Sequence, residues 1–198
     1  MSAIPTEEEC IQMLKDEGCS RSIIKHCCMV LLVSARIAER CNVDMSLVKA
    51  GALLHDVGRS RTQGIFHSVA GSDIAKSRGL PEELVRVIRR HLGAGLTWEE
   101  AKALGLPRAN YMPETLEEKI VTHADNLVGD TDVRTLEESI RDFETRGLAA
   151  AAERMRVMHA ELSKACGVDI DEVAKDLRMR GKVKGPCGAY VSRSGSRP

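Results

Sequence analysis

Histidine and aspartate side chains at helical spacing give this chain its first chemical signal. His26 falls between Ile23 and Val30 on an apolar face. His55 and Asp56 stand side by side at the end of "GALLHDVGRS", in a run otherwise fit for burial. His67 shares a face with Ala70, Gly71 and Ile74. His91 closes the stripe Leu84, Val87, Ile88, and Asp125 follows Val121 by one helical turn. A lone histidine on an apolar face is ordinarily a satisfied core residue. A buried carboxylate is different, because an unpaired charge in the interior costs several kcal/mol. No lysine or arginine shares the predicted faces of Asp56 and Asp125. A divalent transition metal, for which imidazole and carboxylate are natural ligands, accounts for all of these residues together. Such an ion acidifies bound water and polarises an ester, which is the chemistry of hydrolysis.

The adjacent pair constrains where the centre sits. Neighbouring helix residues project about 100° apart, so from mid-helix they do not reach one point. At a helix C-terminus they straddle an ion, with Gly58 letting the chain turn away. His123, two residues from Asp125, points to another side of its helix and is expected at the surface or behind the ligands. His159, near Met155 and Leu162, is expected simply to pack.

The elements that must hold these residues are helical nearly throughout. Thr6-x-x-Glu9 is a capping box that opens a short helix, and Gly18 ends it. Ser20 caps a long helix to about Arg40, and Asp44 caps the next, which runs to Asp56. A shorter helix is predicted from Phe66 to Ser77, and Pro81 sits in the first turn of "PEELVRVIRRHL". Residues 93–115 interrupt the pattern as an insertion with one small helix, capped by Thr97-x-x-Glu100. A helix from Thr115 to Val128, another opened by Thr135-x-x-Glu138, and two more reaching about Met179 complete the chain. No alternating strand pattern is present, so the fold is expected to be all-α. Residues 1–19 read as a short N-terminal helix on the core, residues 20–165 as the main domain, and residues 166–198 as a C-terminal helix with a basic, partly disordered tail. From Leu177 to Pro198 the tail carries Arg178, Arg180, Lys182, Lys184, Arg193 and Arg197 with no acidic residue, and its functional reading is an electrostatic arm for RNA, DNA or a phosphate-bearing partner.

Composition agrees with a helical bundle. Of 198 residues, 43% are hydrophobic but only 3% aromatic, so the core must be aliphatic. The formal net charge is zero, so attraction for phosphate must be local rather than a field of the whole molecule. No apolar run reaches the length of a membrane span, and "MSAIPTEEEC" lacks the basic-then-apolar order of a signal peptide. The seven cysteines are Cys10, Cys19, Cys27, Cys28, Cys41, Cys166 and Cys187. Their odd number and the lack of C-x-x-C predict neither a disulfide framework nor a zinc finger, and a reduced cytoplasm is the expected setting. Cys27 and Cys28, beside His26, read as small apolar helix residues rather than ligands.

Taken in order, His26, His55-Asp56 and Asp125, with "LLHDVGR" at the centre, resemble the HD superfamily of metal-dependent phosphohydrolases. "HDVG" resembles the HDIG subgroup with Val57 in place of isoleucine. "HDVGRSRTQGIFH", "RRHLGAG" and "PETLEEKIVTHADNLV" look like small archaeal HDIG proteins, and the likeness covers about residues 20–165. The resemblance implies an HD-domain helical bundle. It implies that His26, His55, Asp56 and Asp125 hold a first metal, and that His67 and His91 serve a second, with Asp56 bridging. Leu92 stands where the HD-GYP cyclic-dinucleotide phosphodiesterases carry a further histidine, which implies an incomplete or weaker second site.

The implied cofactor is one or two divalent ions (Mn, Fe, Co, Ni or Zn, with Mg also open), and the implied substrate is a nucleotide or related small phosphoester. Asp56 would orient the attacking water. Arg59, where many relatives have lysine, would grip phosphate bidentately, and Lys119 would help neutralise developing charge. In the insertion, Trp98, Lys102, Arg108 and Tyr111 suggest a lid or substrate-reading element, with Trp98 and Arg108 expected to bind a base. Two other readings stay open from the sequence. One is a mixed-valent di-iron oxygenase, because inositol oxygenase and a phosphonate-degrading relative share the ligand order. The other is a non-catalytic metal or nucleotide sensor. The sequence leaves the oligomeric state open, a homodimer included.

Overall fold

A computed structural model of the chain describes residues 3–129, 132–180 and 185–191, with the backbone alone for residues 178–180. Helix α1, Glu7–Asp16, opens on the capping box of Thr6 and Glu9. In α2, Arg21–Ala38, the Ser20 hydroxyl accepts from the Ile23 N–H. In α3, Met45–Leu54, Asp44 Oδ1 accepts from the Ser46 and Leu47 N–H groups at 2.8 and 3.1 Å. A 3-10 turn, Val57–Ser60, leads to α4, His67–Ser77, and α5, Glu82–Arg90. Then come α6, Trp98–Ala103, α7, Leu116–Leu127, and α8, Leu136–Thr145, each with a Thr/Glu capping box. Two further helices are α9, Ala149–Cys166, and α10, Ile170–Arg180, before a 3-10 turn, Gly185–Cys187, and the single turn α11, Gly188–Val191. Each side-chain cap satisfies an otherwise orphaned N–H and is worth about 1 kcal/mol. Among the described residues there is no strand, only isolated bridges such as Leu96 with Tyr111.

The bundle is organised around α3, which packs on α1, α2, α5 and α7. Its face is small and apolar, with Ala50, Ala52, Leu53 and Leu54 all buried against Val30, Val33, Val87, Ile88, Ile120 and Val121. The sequence reading ran this helix to Asp56. The structure ends it at Leu54, with His55 as C-cap and Asp56 already at φ −97° and ψ 10°. Pro81 likewise lies just outside α5, as its N-cap. A buried ion pair ties α5 to α7: Arg90 Nη1 donates to Glu118 Oε2 at 2.9 Å and to Glu114 Oε2 at 2.6 Å. Breaking such a pair on one side costs about 3–5 kcal/mol, so the adjacent His91 is held in register.

The cysteine expectation is corrected. Cys28 joins Cys187 and Cys41 joins Cys166, with Cα atoms 5.5 and 4.5 Å apart. The partners are 159 and 125 residues apart in sequence, a distance no local motif reveals. Cys10, Cys19 and Cys27 remain as buried thiols. The first bridge seats Gly185–Val191 on α1 and α2, where Arg21 Nη2 also donates to the Ala189 carbonyl at 2.9 Å. This part of the expected disordered tail is therefore folded. Lys182, Lys184, Arg193 and Arg197, and the side chains of Arg178 and Arg180, lie outside the described residues. No helix of the described residues is long and apolar enough to cross a membrane.

The two long closed loops give a direct check. Thiol titration of the denatured, unreduced protein is expected to count the three buried cysteines, and the intact mass to be four hydrogens below that of the reduced chain. Reduction should lower the melting temperature, because long loops regain most chain entropy when opened. Seven free thiols in protein purified without reductant would contradict the pairing.

Candidate metal centre

Five elements bring their polar ends to one point. α2 supplies His26, the end of α3 supplies His55 and Asp56, the first turn of α4 supplies His67, the end of α5 supplies His91, and the last turn of α7 supplies Asp125. His26 Nε2 lies 2.8 Å from Asp125 Oδ1 and 3.8 Å from Asp56 Oδ2. His55 Nε2 lies 3.4 and 3.7 Å from the same two oxygens. On the other side, Asp56 Oδ1 faces His67 Nε2 at 3.1 Å and His91 Nε2 at 3.6 Å. Asp56 thus lends one oxygen to each of two donor groups.

The backbone sets the histidine tautomers. His55 Nδ1 donates to the Ala52 carbonyl at 2.8 Å, His91 Nδ1 to that of Ile88 at 2.7 Å, and His67 Nδ1 to that of Gly64. A carbonyl only accepts, so each neutral ring carries its proton on Nδ1 and turns a bare Nε2 inward, as metal-binding histidines do. The Nε2 atoms of His67 and His91 then face each other at 2.8 Å, a contact between lone pairs that only a proton or a cation relieves. His55 Nε2 and Asp56 Oδ1 are buried with no hydrogen-bond partner. These buried, unpartnered donor atoms, in an all-nitrogen-and-oxygen set, fit one or two divalent transition ions.

The electrostatics follow from burial and the two carboxylates. Burial alone would push the His55 imidazole down, but Asp56 and Asp125 outweigh it and raise its pKa to about 9. Burial and the neighbouring imidazoles hold His91 below its usual value. Asp56 and Asp125 sit well below the carboxylate range, because the facing histidines outweigh burial. The sequence reading found no cation to offset Asp56, and this is corrected: Arg59 Nε donates to Asp56 Oδ2 at 2.6 Å. With the helix read as ending at Asp56, Arg59 falls beyond it and no local pairing is expected. The 3-10 turn brings the two together. The two Nη groups of Arg59 have no hydrogen-bond partner among the described residues, and the side chain is one-third exposed.

Gly58 has a different role from the one its position suggested. It does not adopt a positive φ, so it is no helix stop. A Cβ there would lie 2.0 Å from the His67 carbonyl oxygen and 2.4 Å from the Gly71 nitrogen. The missing side chain lets the turn after Asp56 press directly on α4, which sets His67 against Asp56.

Other expected site residues fall elsewhere. Lys119 pairs with Glu161 at 2.8 Å and not with the cluster, so its expected catalytic part is not supported. Six residues before Asp125, it occupies another face of α7. His123 is fully buried, not at the surface. Its Nε2 lies 3.0 Å from His159 Nδ1, and His159 Nε2 lies 3.2 Å from Asp169 Oδ1. Asp169 accepts, so His159 in turn accepts from His123, and burial holds His123 neutral with its pKa lowered to about 3. This pair links α7 to α9 rather than serving the cluster. Cys28 is committed to its bridge, and burial pushes the Cys27 thiol well up, so neither acts as a ligand. In the insertion, the Arg108 guanidinium sits 5.6 Å over the Trp98 ring. Sequence reasoning missed Arg90, Glu118 and Asn126. The Thr115-x-x-Glu118 spacing and an arginine inside an apolar stripe were the signals available for the first two.

Comparison with known proteins places these features in a wider set. The HD domain family model matches residues 23–130. The chain is 46% identical over 174 residues to a tRNA (cytidine(56)-2'-O)-methyltransferase of Picrophilus torridus, covering 88% of this chain and 51% of that protein. It is 44% identical over 144 residues to an uncharacterized protein of Methanocaldococcus jannaschii, covering 70% of this chain and 85% of that one. The chain spans about half the length of the methyltransferase relative. Among solved structures, the HD domain of the L. monocytogenes phosphodiesterase PgpH in complex with cyclic-di-AMP superposes with a TM-score of 0.55 at 14% identity, covering 89% of this chain and 99% of that one. At that identity the likeness is one of fold.

Two outcomes test the geometry. Gly58→Ala must push backbone from backbone, which costs about 1–3 kcal/mol or more, so the melting temperature should fall by roughly 5 °C and bound metal should drop. A variant as stable and as metal-rich as its parent would contradict the close-packing role. Second, a proton and a metal compete for His55 Nε2. With the pKa raised to about 9, the ring holds its proton at pH 7.5, so metal binding should expel it and affinity should weaken as pH falls. Calorimetric binding enthalpies that do not change between buffers of different ionisation enthalpy would rule this out.

Proposed function

The chain belongs to the HD domain family, and from that premise we propose that it is a metal-dependent phosphohydrolase acting on nucleotide or related phosphoesters. The observation that carries this reading is the split donor set. Each oxygen of the buried Asp56 faces a separate group of inward Nε2 atoms, and His26 and Asp125 close the first group. Divalent ions held by these residues would supply a water acidified toward neutral pH and positive charge against the phosphoryl oxygens.

The chain's own residues do the rest. Asp56 and Asp125 are held ionised by the facing histidines, so they keep lone pairs for ligation and for orienting a nucleophilic water. Arg59 is anchored through Nε on Asp56, and its free Nη pair is presented toward solvent at the same site. A planar fork held in that way suits bidentate contact with a phosphate and steadies the charge that builds as the ester breaks. Trp98 and Arg108 contribute on the substrate side of the insertion.

The test is product release from nucleotides, RNA oligomers and p-nitrophenyl esters. Metal-stripped protein would be supplied in turn with Mn, Fe, Co, Ni, Zn and Mg. Turnover should require a divalent ion, fall by roughly a thousandfold or more in Asp56→Ala, and fall about 10–100-fold in Arg59→Gln. Stoichiometric metal binding without release of phosphate or alcohol from any ester would refute the hydrolase reading.

A further inference from the structure

Residues 93–115 are pinned rather than free. Asn126, next to the ligand Asp125, donates Nδ2–H to the Gly93 carbonyl at 2.7 Å. Arg154 Nη2 on α9 donates to the Gly95 carbonyl and to Glu100, each at 3.0 Å. The Leu96 N–H reaches the Tyr111 carbonyl at 3.3 Å. Tyr111 is buried in a small separate core with Leu92, Ala101 and Leu106, against Ile65 and Val69 of the segment around His67. The insertion is thus a rigid platform joined to the donor cluster from three sides, through His91–Leu92, His67 and Asp125–Asn126. Its outer face is an open groove of about 530 Å³ lined by Leu96, Trp98, Arg108, Asn110, Tyr111 and Met112.

Two features of that face are at odds with simple packing. Trp98 is 45% exposed and is not among the side chains packed on the small core of Leu92, Ala101, Leu106 and Tyr111. Arg108 stacks over the ring without an acidic partner among the described residues, and Lys102, one turn on from Trp98, is exposed on the same face of α6. The acidic neighbour Glu100 is engaged by Arg154, and Glu99 is exposed beside Trp98. A pocket for a free small ligand encloses most of its surface. An open groove that offers a solvent-facing ring flanked by cations is the arrangement that stacks a base while its strand continues past.

We infer that this platform binds one unpaired base of single-stranded RNA, with Arg108 and Lys102 against the adjoining phosphates, so that the phosphoester reaching the centre belongs to an RNA strand. This rests on the phosphohydrolase reading for the fate of the strand, but not for its binding. The choice of RNA is supported by the Picrophilus torridus relative, whose name is that of a protein acting on tRNA.

The sole tryptophan reports on the groove directly. Its fluorescence would be titrated, with chelator present so that nothing turns over, against a short single-stranded RNA, its duplex, its abasic counterpart, the same sequence in DNA, and the free mononucleotides. Saturable quenching is expected with the single-stranded RNA, at least tenfold weaker for the duplex and the abasic strand, and weaker for DNA. Labelled-RNA anisotropy should show roughly a tenfold or greater loss in Trp98→Ala, whose exposed side chain can be removed without opening the core, and a smaller loss in Arg108→Gln. Quenching without turnover on any ester keeps this inference and sinks the hydrolase. Turnover of mononucleotides with no quenching by RNA does the reverse. Equal affinity for DNA, or for mononucleotides, overturns the assignment to an RNA strand. Quenching that depends on protein concentration alone assigns the groove to a second copy of the chain and overturns it as well.

Discussion

The structure depends on one electrostatic constraint: a carboxylate, Asp56, is 3% exposed at the centre of an aliphatic bundle. A lone charge there would cost several kcal/mol, so the surroundings must answer it from every side. His55, His67 and His91 face its oxygens, His26 and Asp125 extend the group, and Arg59 caps the outer edge. Two acids among four imidazoles form a set whose charge depends on what it holds. A capacity to hold cations and the need to offset Asp56 are therefore two aspects of one arrangement.

That arrangement fixes what the scaffold must do. The imidazoles of His55, His67 and His91 are each turned by a carbonyl three residues earlier, so local backbone geometry aims these three Nε2 atoms without a further side chain. Distances between helices are set by small or tightly paired groups. Gly58 allows backbone contact with α4, and Arg90 with Glu118 locks the end of α5 to the start of α7. On the far side of α7, the neutral His123 leans on His159, joining the helix that carries Asp125 to α9. The centre is thus braced from both faces of α7, which suits a site whose ligands need placing within a few tenths of an ångström.

The insertion extends the same logic outward. It begins one residue after Leu92, is tied back beside Asp125 through Asn126, and carries its own small core. A segment fixed in this way fits the substrate-reading element rather than the lid, the two roles its residues suggested. Elsewhere, Cys28–Cys187 holds Gly185–Val191 on α2 and Cys41–Cys166 joins α2's end to α9. The helix that supplies His26 is therefore fastened at two points, one of them two residues from His26 and the other beyond the helix's C-terminal end.

The sequence by itself determined the helices and singled out the six side chains that meet in the donor cluster. Caps such as Thr6–Glu9, Asp44 and Thr135–Glu138 are local signals, written within one turn, and the 3.6-residue period marks which face of each helix turns inward. A histidine or aspartate on such a face shows that it points into the core, though not what it meets there. The tertiary structure alone decided that Asp56 divides its oxygens between two groups and that Arg59 reaches it. It also decided that Lys119 turns away to Glu161, that His123 finds His159, and that Cys28 and Cys41 find partners more than a hundred residues distant. Helix periodicity repeats within a few residues and so survives in one dimension. Pairings between helices depend on crossing angles and close approaches, such as that at Gly58, which exist only once the whole bundle has packed.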